Sequence, residues 1–158
     1  MKLGMWVRWY DRTLKAADYE RLHRLHVDRV YIKIGDGSRI RDQYLNMIDD
    51  AHHAGFEVYT WTYNYGGPDE FSPIYWGLSR ADGHVLDPEV EWRDGSDAFT
   101  ADALVSLIRA DFPDKPLWVS SFAYPNLHRG FPLRDFGGLD IQGWMPQIFP
   151  GYWAGTAA

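Results

Sequence analysis

The stretch HVLDPEVEW, from His84 to Trp92, places three carboxylates at alternate positions of one short segment. Side chains of a β-strand alternate between its two faces, so four residues share one face: Val85, Asp87, Glu89 and Glu91. Three like charges are readily solvated at an exposed edge. In an interior at least one of them needs a raised pKa or a neighbouring cation. The stretch therefore indicates either a solvated strand edge or an acid–base site.

Other strand patterns lie on both sides of this stretch, and each alternates β-forming residues with period two. In β-strand 29–35, Val30, Ile32 and Ile34 face one way, whereas Tyr31 and Lys33 face the other. The pattern predicts six strands, at residues 5–10, 29–35, 56–63, 84–92, 117–122 and 141–149. The segment between the last two strands is rich in Pro, Gly and aromatic residues and is predicted to be a long loop.

Helical patterns separate the strands, with apolar residues three or four positions apart. The expected core positions are Tyr19, Leu22 and Leu25; Tyr44, Ile48 and Ala51; Ile74, Leu78 and Ala81; and Leu104, Leu107 and Ile108. Gly55 and Gly83 are predicted to end the second and third helices, and Pro113 the fourth. Ser72 and Pro73 are predicted as N-cap and first turn of the third helix, and Thr100 as the cap of the fourth.

Strands that are separated by helical crossovers must be parallel, so the alternation predicts the α/β class. We expect one domain over residues 1–158, a (β/α) TIM-like barrel reduced or truncated to about six βα units, because a complete eight-fold barrel needs about 250 residues. The final strands of such a barrel are expected to be missing. The competing architecture is an open doubly wound sheet, but no GxGxxG motif or P-loop follows the first strand.

Composition excludes several classes of protein. A net charge of −6 without blocks of like charge lacks the basic footprint of a nucleic-acid-binding protein. The absence of cysteine excludes disulfides, thiol catalysis and cysteine-ligated zinc, and no HExxH motif is present. We therefore expect no cofactor and no metal. No signal peptide or membrane-spanning segment is recognisable, which predicts no membrane partner and leaves the compartment undecided between cytoplasm and virion.

In a barrel the aliphatic face of each strand packs against the helices, so the other face points inward. This rule predicts an inward set of Arg8, Lys33, Trp61, Asp87, Glu89, Glu91 and Trp118, with Gln147 near the mouth. Crowded carboxylates beside cations acquire different pKa values, as general acid chemistry on a glycosidic bond requires. The simpler alternatives are a solvated acidic edge and, for Trp61, Tyr63 and Trp118, an ordinary hydrophobic core.

The segments DPEVEW, RVYIKIGDGS and WMPQIF resemble strand ends of TIM-barrel glycoside hydrolases, in particular family 25 muramidases and related barrels of bacteria and phages. The resemblance implies that Glu89 is the general acid and that Asp87 stabilises or traps the oxocarbenium-like centre. It also implies that Gln147, Trp61 and Tyr63 line the sugar cleft. The muramidase pattern has a further acidic residue at the end of the first strand, where this chain has Trp9 and Tyr10 followed by Asp11.

The expected function is therefore cleavage of glycosidic bonds in a polysaccharide, with peptidoglycan as the leading substrate. Lys33, Glu91 and Trp118 complete the expected substrate-binding set. The alternative is a catalytically inactive barrel that binds glycan or forms a structural module of a phage or cell-surface assembly. The expected partner is a polysaccharide or oligosaccharide, and a truncated barrel is expected to self-associate through its open sheet edges.

Overall fold

The computed structural model describes residues 2–8, 13–89, 92, 101–123 and 130–147. The strands are β1 (Gly4–Val7), β2 (Arg29–Asp36), β3 (Arg39–Ile40), β4 (Glu57–Asn64), β5 (Gly83–Pro88), β6 (Leu117–Phe122) and β7 (Gly143–Gln147). The helices are α1 (Ala16–Arg24), α2 (Asp42–His53), α3 (Phe71–Leu78), α4 (Ala101–Asp111) and α5 (Leu133–Gly137), and a 3₁₀ turn at Pro68–Glu70 precedes α3. No helix in these ranges has the length and apolarity needed to cross a bilayer.

The sheet runs in the order β1-β2-β4-β5-β6-β7, and each neighbouring pair in this order is parallel. The short strand β3 is attached to β2 in antiparallel orientation. The six parallel strands curl into a half-barrel. Because the order of the described strands never reverses, this part of the sheet lacks the switch point of a doubly wound fold. The predicted α/β class with a parallel sheet is confirmed, whereas closure into a TIM barrel stays a prediction.

The two faces of the sheet are packed differently. One face carries Val30, Ile32 and Ile34 of β2, which pack in a cluster with Tyr44 and Ile48 of α2. On the same side, residues of β5 and β6 form a second cluster with α3, α4 and α5: Leu86, Leu117, Val119, Ile74, Leu104 and Phe136. The predicted division of β2 into a helix-facing side and an opposite side is therefore confirmed.

The face opposite the helices is called the inner face here, and it is defined by the buried residues Tyr31, Tyr59, Trp61 and Val85. Trp118 and Met145 are partly buried against this group. Trp6 of β1 stacks on Tyr31 with ring centroids 4.8 Å apart and meets Trp61 edge-on at 5.4 Å. The inner face thus has an aromatic layer that spans β1, β2, β4 and β6.

Two predicted core positions are wrong. Leu25 is 53% exposed because α1 ends at Arg24 and Leu25 is its C-cap residue. Leu107 is 41% exposed, and Val105 is buried beside Leu104 in its place. The buried stripe of α4 is Ala101, Leu104, Val105 and Ile108. Position 107 lies outside this stripe, since successive residues of a helix are rotated by about 100°.

The predicted boundaries of the third helix are also wrong. The helix begins at Phe71, directly after the 3₁₀ turn, so Ser72 lies inside its first turn and is not the N-cap. It ends at Leu78 with Ser79 as C-cap, and Gly83 is the first residue of β5. A Cβ at position 83 would collide with the ring of Tyr59, which explains the glycine by close packing.

The other boundaries agree to different extents. The fifth predicted strand is confirmed at Leu117–Phe122, and Gly55, with φ 87°, follows the end of α2 as predicted. The predicted long loop contains the short helix α5. Phe136 of this helix is fully buried in the cluster that includes Leu117 and Val119 of β6. Predicted strand or cap residues 9–10, 90–91, 100 and 148–149 lie outside the described residues.

Candidate active site

The carboxyl groups of Asp87 and Glu89 meet on the inner face where β5 ends. Asp87 is only 6% exposed. The side-chain amide of Gln147, the last residue of β7, donates from Nε2 to Asp87 Oδ1 at 2.6 Å and to Glu89 Oε1 at 3.1 Å. Both oxygens are bonded to the same nitrogen, so they lie less than about 6 Å apart. The structure thus joins a buried and a half-buried carboxyl group through one amide donor.

The surroundings of Asp87 favour its protonated form near neutral pH. Burial raises the pKa of Asp87 to about 7, and the negative charge of Glu89 acts in the same direction. The positive charges of Lys33 and Arg8 and the hydrogen bond from Gln147 lower this pKa, but they offset only part of the rise. A solvated-edge interpretation is therefore wrong for Asp87.

Lys33 contributes the buried cation of the site. Its Nζ atom lies 3.2 Å from Asp36 Oδ1, 4.8 Å from the ring centroid of Trp61 and 5.6 Å from that of Tyr63. Burial lowers the pKa of Lys33, and the charges of Asp36 and Asp87 oppose that change. The ammonium group is thus held between aromatic faces and carboxylates, a geometry typical of cation–π contacts.

A β-bulge explains why Asp36 shares a face with Lys33. Residues three apart in a regular strand point to opposite faces, but the pairing of β2 with β4 shifts between Lys33 and Gly35. The extra residue restores Asp36 to the inner face, beside Tyr63 and Asp87 in the register of the sheet. Gly35 fits on the helix side because a Cβ there would lie 2.8 Å from Pro73 Cβ.

Hydrogen bonds from both neighbouring strands fix the backbone that carries the pair. On the β4 side, the backbone N–H of Asp87 donates to Asn64 Oδ1 at 2.9 Å. On the β6 side, the hydroxyl of Ser121 donates to the carbonyl oxygen of Pro88 at 2.7 Å. The indole N–H of Trp92 donates to the carbonyl oxygen of Asn64 at 2.9 Å. Asp87 is therefore anchored on the β4 side, and Pro88, which lies between the two carboxylates, is anchored on the β6 side.

Most of the predicted site residues converge. The structure brings together Lys33, Trp61, Tyr63, Asp87, Glu89 and Gln147. Trp118 lies one layer away, beside Val85 in the register of the sheet, and belongs to the aromatic layer. Arg8 is exposed, although its charge reaches both Asp87 and Lys33. Glu91 lies outside the described residues.

Three residues that support the site were not predicted: Asp36, Asn64 and Ser121. Asn64 carries a signal in the sequence, since it is a polar residue at the end of a strand, just before Gly66-Gly67-Pro68. The sequence indicates a turn at Asp36, and strand alternation would place Asp36 on the opposite face from Lys33, so it is not predicted at the site. Ser121 gives no signal, since a serine in a strand is usually an ordinary surface or core residue.

A cleft of the described surface lies away from the carboxyl pair. It encloses about 710 Å³ between α1 and α2, with Tyr19, His23, Met47 and Asp50 among its lining residues. These helices cover the opposite face of the sheet, so this cleft is separate from the carboxyl pair. Among the described residues, no cluster of three or more metal-ligating side chains is present.

No protein-family model matches the chain, and no match was found among curated proteins or solved structures. The resemblance to family 25 muramidases therefore rests on the three short motifs alone, and family membership stays a prediction.

Proposed function

We propose that this protein hydrolyses glycosidic bonds in a polysaccharide, with peptidoglycan as the leading substrate, by carboxylate acid–base catalysis. The supporting observation is the pair Asp87 and Glu89, which share Gln147 while burial raises the pKa of Asp87 to about 7. Glycoside hydrolysis requires one carboxylic acid that is protonated near neutral pH and a second, ionised carboxylate nearby.

The environments of the two groups suggest their roles. Asp87 is the more buried and holds a proton near neutral pH, so we assign to it protonation of the leaving-group oxygen. Glu89 is half-buried, and we assign to it the role of stabilising or trapping the oxocarbenium-like centre. This assignment reverses the roles implied by the family resemblance, and its basis is the burial of Asp87.

The spacing of the pair favours retention of configuration. Retaining enzymes hold their two carboxyl groups about 5 to 5.5 Å apart, and inverting enzymes about 6.5 to 9.5 Å apart, to admit a water. The bonded oxygens of Asp87 and Glu89 lie less than about 6 Å apart because both accept from Gln147 Nε2. We therefore expect the product to keep the anomeric configuration of the substrate, which proton NMR of the fresh product measures.

The neighbouring aromatic residues fit a sugar platform. Trp61 and Tyr63 lie beside the carboxyl pair on β4, and the Lys33 ammonium lies over both rings. Aromatic faces pack against the apolar face of a sugar ring, while cations and amides bind its oxygens. Trp61 is only 5% exposed, so contact with a glycan is assigned to the half-buried ring of Tyr63.

The decisive test compares hydrolysis of peptidoglycan and chitin-like substrates by wild-type protein, Asp87→Asn and Glu89→Gln. Each variant should lose at least about 10²-fold in kcat, because general acid catalysis and charge stabilisation each contribute that much. Glu57→Gln is the matched control, since Glu57 is a sheet carboxylate paired with Arg29 and Lys2, away from the pair. Full hydrolysis by Glu89→Gln would rule out the proposed mechanism.

The alternative function is a catalytically silent barrel that binds glycan. The low exposure of Asp87 favours it, since a carboxyl group that is already bonded to Gln147 has little surface left for a substrate. In that case glycan binding without turnover would be measured, and Asp87→Asn would leave the affinity unchanged. Such a module would suit a phage or cell-surface assembly.

Self-association is a further part of this alternative. In the described sheet β1 and β7 each pair with one parallel neighbour, and β1 exposes Met5 and Trp6. Unpaired strand edges can pair with another chain. The mass of the protein in solution distinguishes a monomer from a pair of half-barrels.

A further inference from the structure

We infer that Asn64 is a positioning residue for the carboxyl pair, which holds the end of β5 in the geometry that Asp87 and Glu89 need. This inference rests on the proposed hydrolase function, and it assigns a role to a buried side chain that touches neither carboxyl group. Asn64 is 0% exposed and occupies the last position of β4, opposite Pro88 in the register of the sheet.

Each polar atom of the Asn64 side chain has a defined partner. Its Oδ1 accepts from the backbone N–H of Asp87 at 2.9 Å and from the hydroxyl of Thr62 at 3.4 Å. Its Nδ2 donates to Glu70 Oε2 at 3.0 Å. A backbone N–H can only donate and an ionised carboxylate can only accept, so these partners determine the orientation of the amide.

Glu70 accepts the hydrogen bond from the Asn64 side chain and links it to the turn after β4. Its side chain is buried, and Oε1 accepts from the backbone N–H groups of Tyr65 at 2.7 Å and Gly67 at 2.9 Å. With Asn64 Nδ2, three N–H donors surround this carboxylate. The turn after β4 is thereby tied to Asn64, and Asn64 is tied to the backbone of Asp87. Buried networks in which every member is satisfied are rigid.

The hydrogen bond between Asp87 and Gln147 is sensitive to the position of the end of β5. Asp87 Oδ1 lies 2.6 Å from Gln147 Nε2, so a shift of about 1 Å at the end of β5 would break this hydrogen bond and admit water. Ser121 anchors Pro88 from β6, but the N–H of Asp87 is anchored through Asn64. Loss of Asn64 therefore frees β5 on the side of Asp87 that faces β4, where Lys33 and Tyr63 also lie.

The test uses a rescue that the network itself provides. Asn64→Leu removes all three side-chain hydrogen bonds, and Asn64→Asp keeps an acceptor for Asp87 N–H but places a carboxylate against Glu70. In the double variant Asn64→Asp/Glu70→Gln, the new amide at position 70 donates to the new carboxylate at position 64. Its carbonyl oxygen still accepts from Tyr65 and Gly67, so every hydrogen bond is restored with the donor and acceptor exchanged.

We expect kcat to fall about tenfold to a hundredfold in both single variants, with KM changed less than about threefold, because misplacement by about 1 Å has effects of this size. In Asn64→Leu the limb of the pH–rate profile that belongs to Asp87 should move to lower pH as its carboxyl group gains solvent. The double variant should recover to within about threefold of wild type in kcat.

Thr60→Val is the matched control. Thr60 lies on the same strand and the same face, is buried, and makes one side-chain hydrogen bond, 2.8 Å to His84 Nδ1, without contacting the end of β5. This variant should lose stability while the pH–rate profile stays in place. A purely structural role for Asn64 predicts that Asn64→Leu and Thr60→Val behave alike, which would overturn the inference.

Carbon-13 NMR titration of the Asp87 carboxyl group tests the positioning without any substrate. A lower pKa of Asp87 in the uncharged variant Asn64→Leu supports the inference even if no hydrolysis is detected, in which case the proposed function alone fails. An unchanged Asp87 titration in Asn64→Leu contradicts the inference, whatever its activity. If Asn64→Leu does not fold, the comparison between Asn64→Asp and the double variant decides.

Discussion

Strand β5 carries two buried ionisable side chains, His84 on the helix-covered face and Asp87 on the inner face. His84 is 0% exposed, and both of its ring nitrogens have hydroxyl partners: Thr60 Oγ1 at 2.8 Å and Thr62 Oγ1 at 3.0 Å. Burial lowers the pKa of His84 to about 3, so the ring is neutral. Asp87 is almost as buried, but a second carboxylate and two cations act on it.

This difference in surroundings identifies His84 as a structural polar residue and Asp87 as a candidate functional residue. His84 has every hydrogen bond satisfied and no charged group among the causes of its shift, which is how proteins accommodate a polar residue in a core. Asp87 experiences opposing influences, with burial and Glu89 raising its pKa while Lys33, Gln147 and Arg8 lower it. Such conflict between a charge and its surroundings is concentrated at active sites.

The largest expected effect concerns the pH dependence of stability. The pKa of Asp87 is raised to about 7 in the folded protein, so its contribution is present at low pH and is lost as the pH rises to 7. The pKa of His84 is lowered to about 3, so His84 has the opposite effect: stability is lost as the pH falls from 6.5 to 3. In the wild type these slopes offset each other between about pH 4 and 6.

Relative to wild type, Asp87→Asn should therefore gain the His84 slope, which Asp87 no longer offsets. Its free energy of unfolding should rise by about 1.4 kcal/mol per pH unit, or roughly 3 kcal/mol from about pH 4 to 6. Relative to wild type, His84→Leu should show the opposite slope, because the contribution of Asp87 is then no longer offset by His84. Urea denaturation at closely spaced pH values measures both, and parallel curves for the two variants would contradict the comparison.

The next effect tests whether the His84 network is purely structural. His84→Leu leaves the Thr60 hydroxyl buried without its partner and should lower the free energy of unfolding by about 2 kcal/mol. Adding Thr60→Val removes that unpaired group, so the double variant should recover about 1 kcal/mol. Thr62 keeps its hydrogen bond to Asn64 in both variants. Additive losses measured by denaturation would argue against a closed network.

A smaller effect is expected from the buried cation. Lys33→Met keeps the apolar stem over Trp61 and removes the charge that lowers the pKa of Asp87. The alkaline limb of the pH–rate profile should then move up by roughly one pH unit, since one neighbouring charge shifts a pKa by about that amount. Lys33→Arg, which keeps the charge, should leave the limb in place. If the alkaline limb stays in place in Lys33→Met, the charge of Lys33 does not act on Asp87.

Strand alternation was sufficient to predict much of the site. Lys33, Trp61 and Asp87 alternate with residues that face the helices, and the structure places them together on the inner face for that reason. Gln147 was predicted near the mouth by the same rule and bonds to both carboxylates. Period-two patterns survive folding well because a slip by one residue would expose every core residue of the strand.

The remainder depended on tertiary detail that a pattern does not contain. Asp36 reaches the inner face only through a one-residue bulge, which reverses the alternation. Leu107 fits a helical stripe as well as Val105 does, and only the docking of α4 on β5 and β6 selects Val105. The roles within the carboxyl pair depend on burial, which differs between Asp87 and Glu89 although both lie on one face.

The smallest expected effect comes from Arg8, whose charge influences Asp87 from an exposed position. Arg8→Gln should raise the alkaline limb of the pH–rate profile by only a few tenths of a pH unit at low salt, because solvent weakens an exposed charge. The shift should vanish at about 1 M salt, where the screening length is only about 3 Å. The shift caused by Lys33→Met should persist there, since Lys33 is buried. If salt reduces both shifts equally, the inner face around Asp87 is open to solvent. Asp87 and His84 would then differ in hydration as well as in the charges around them.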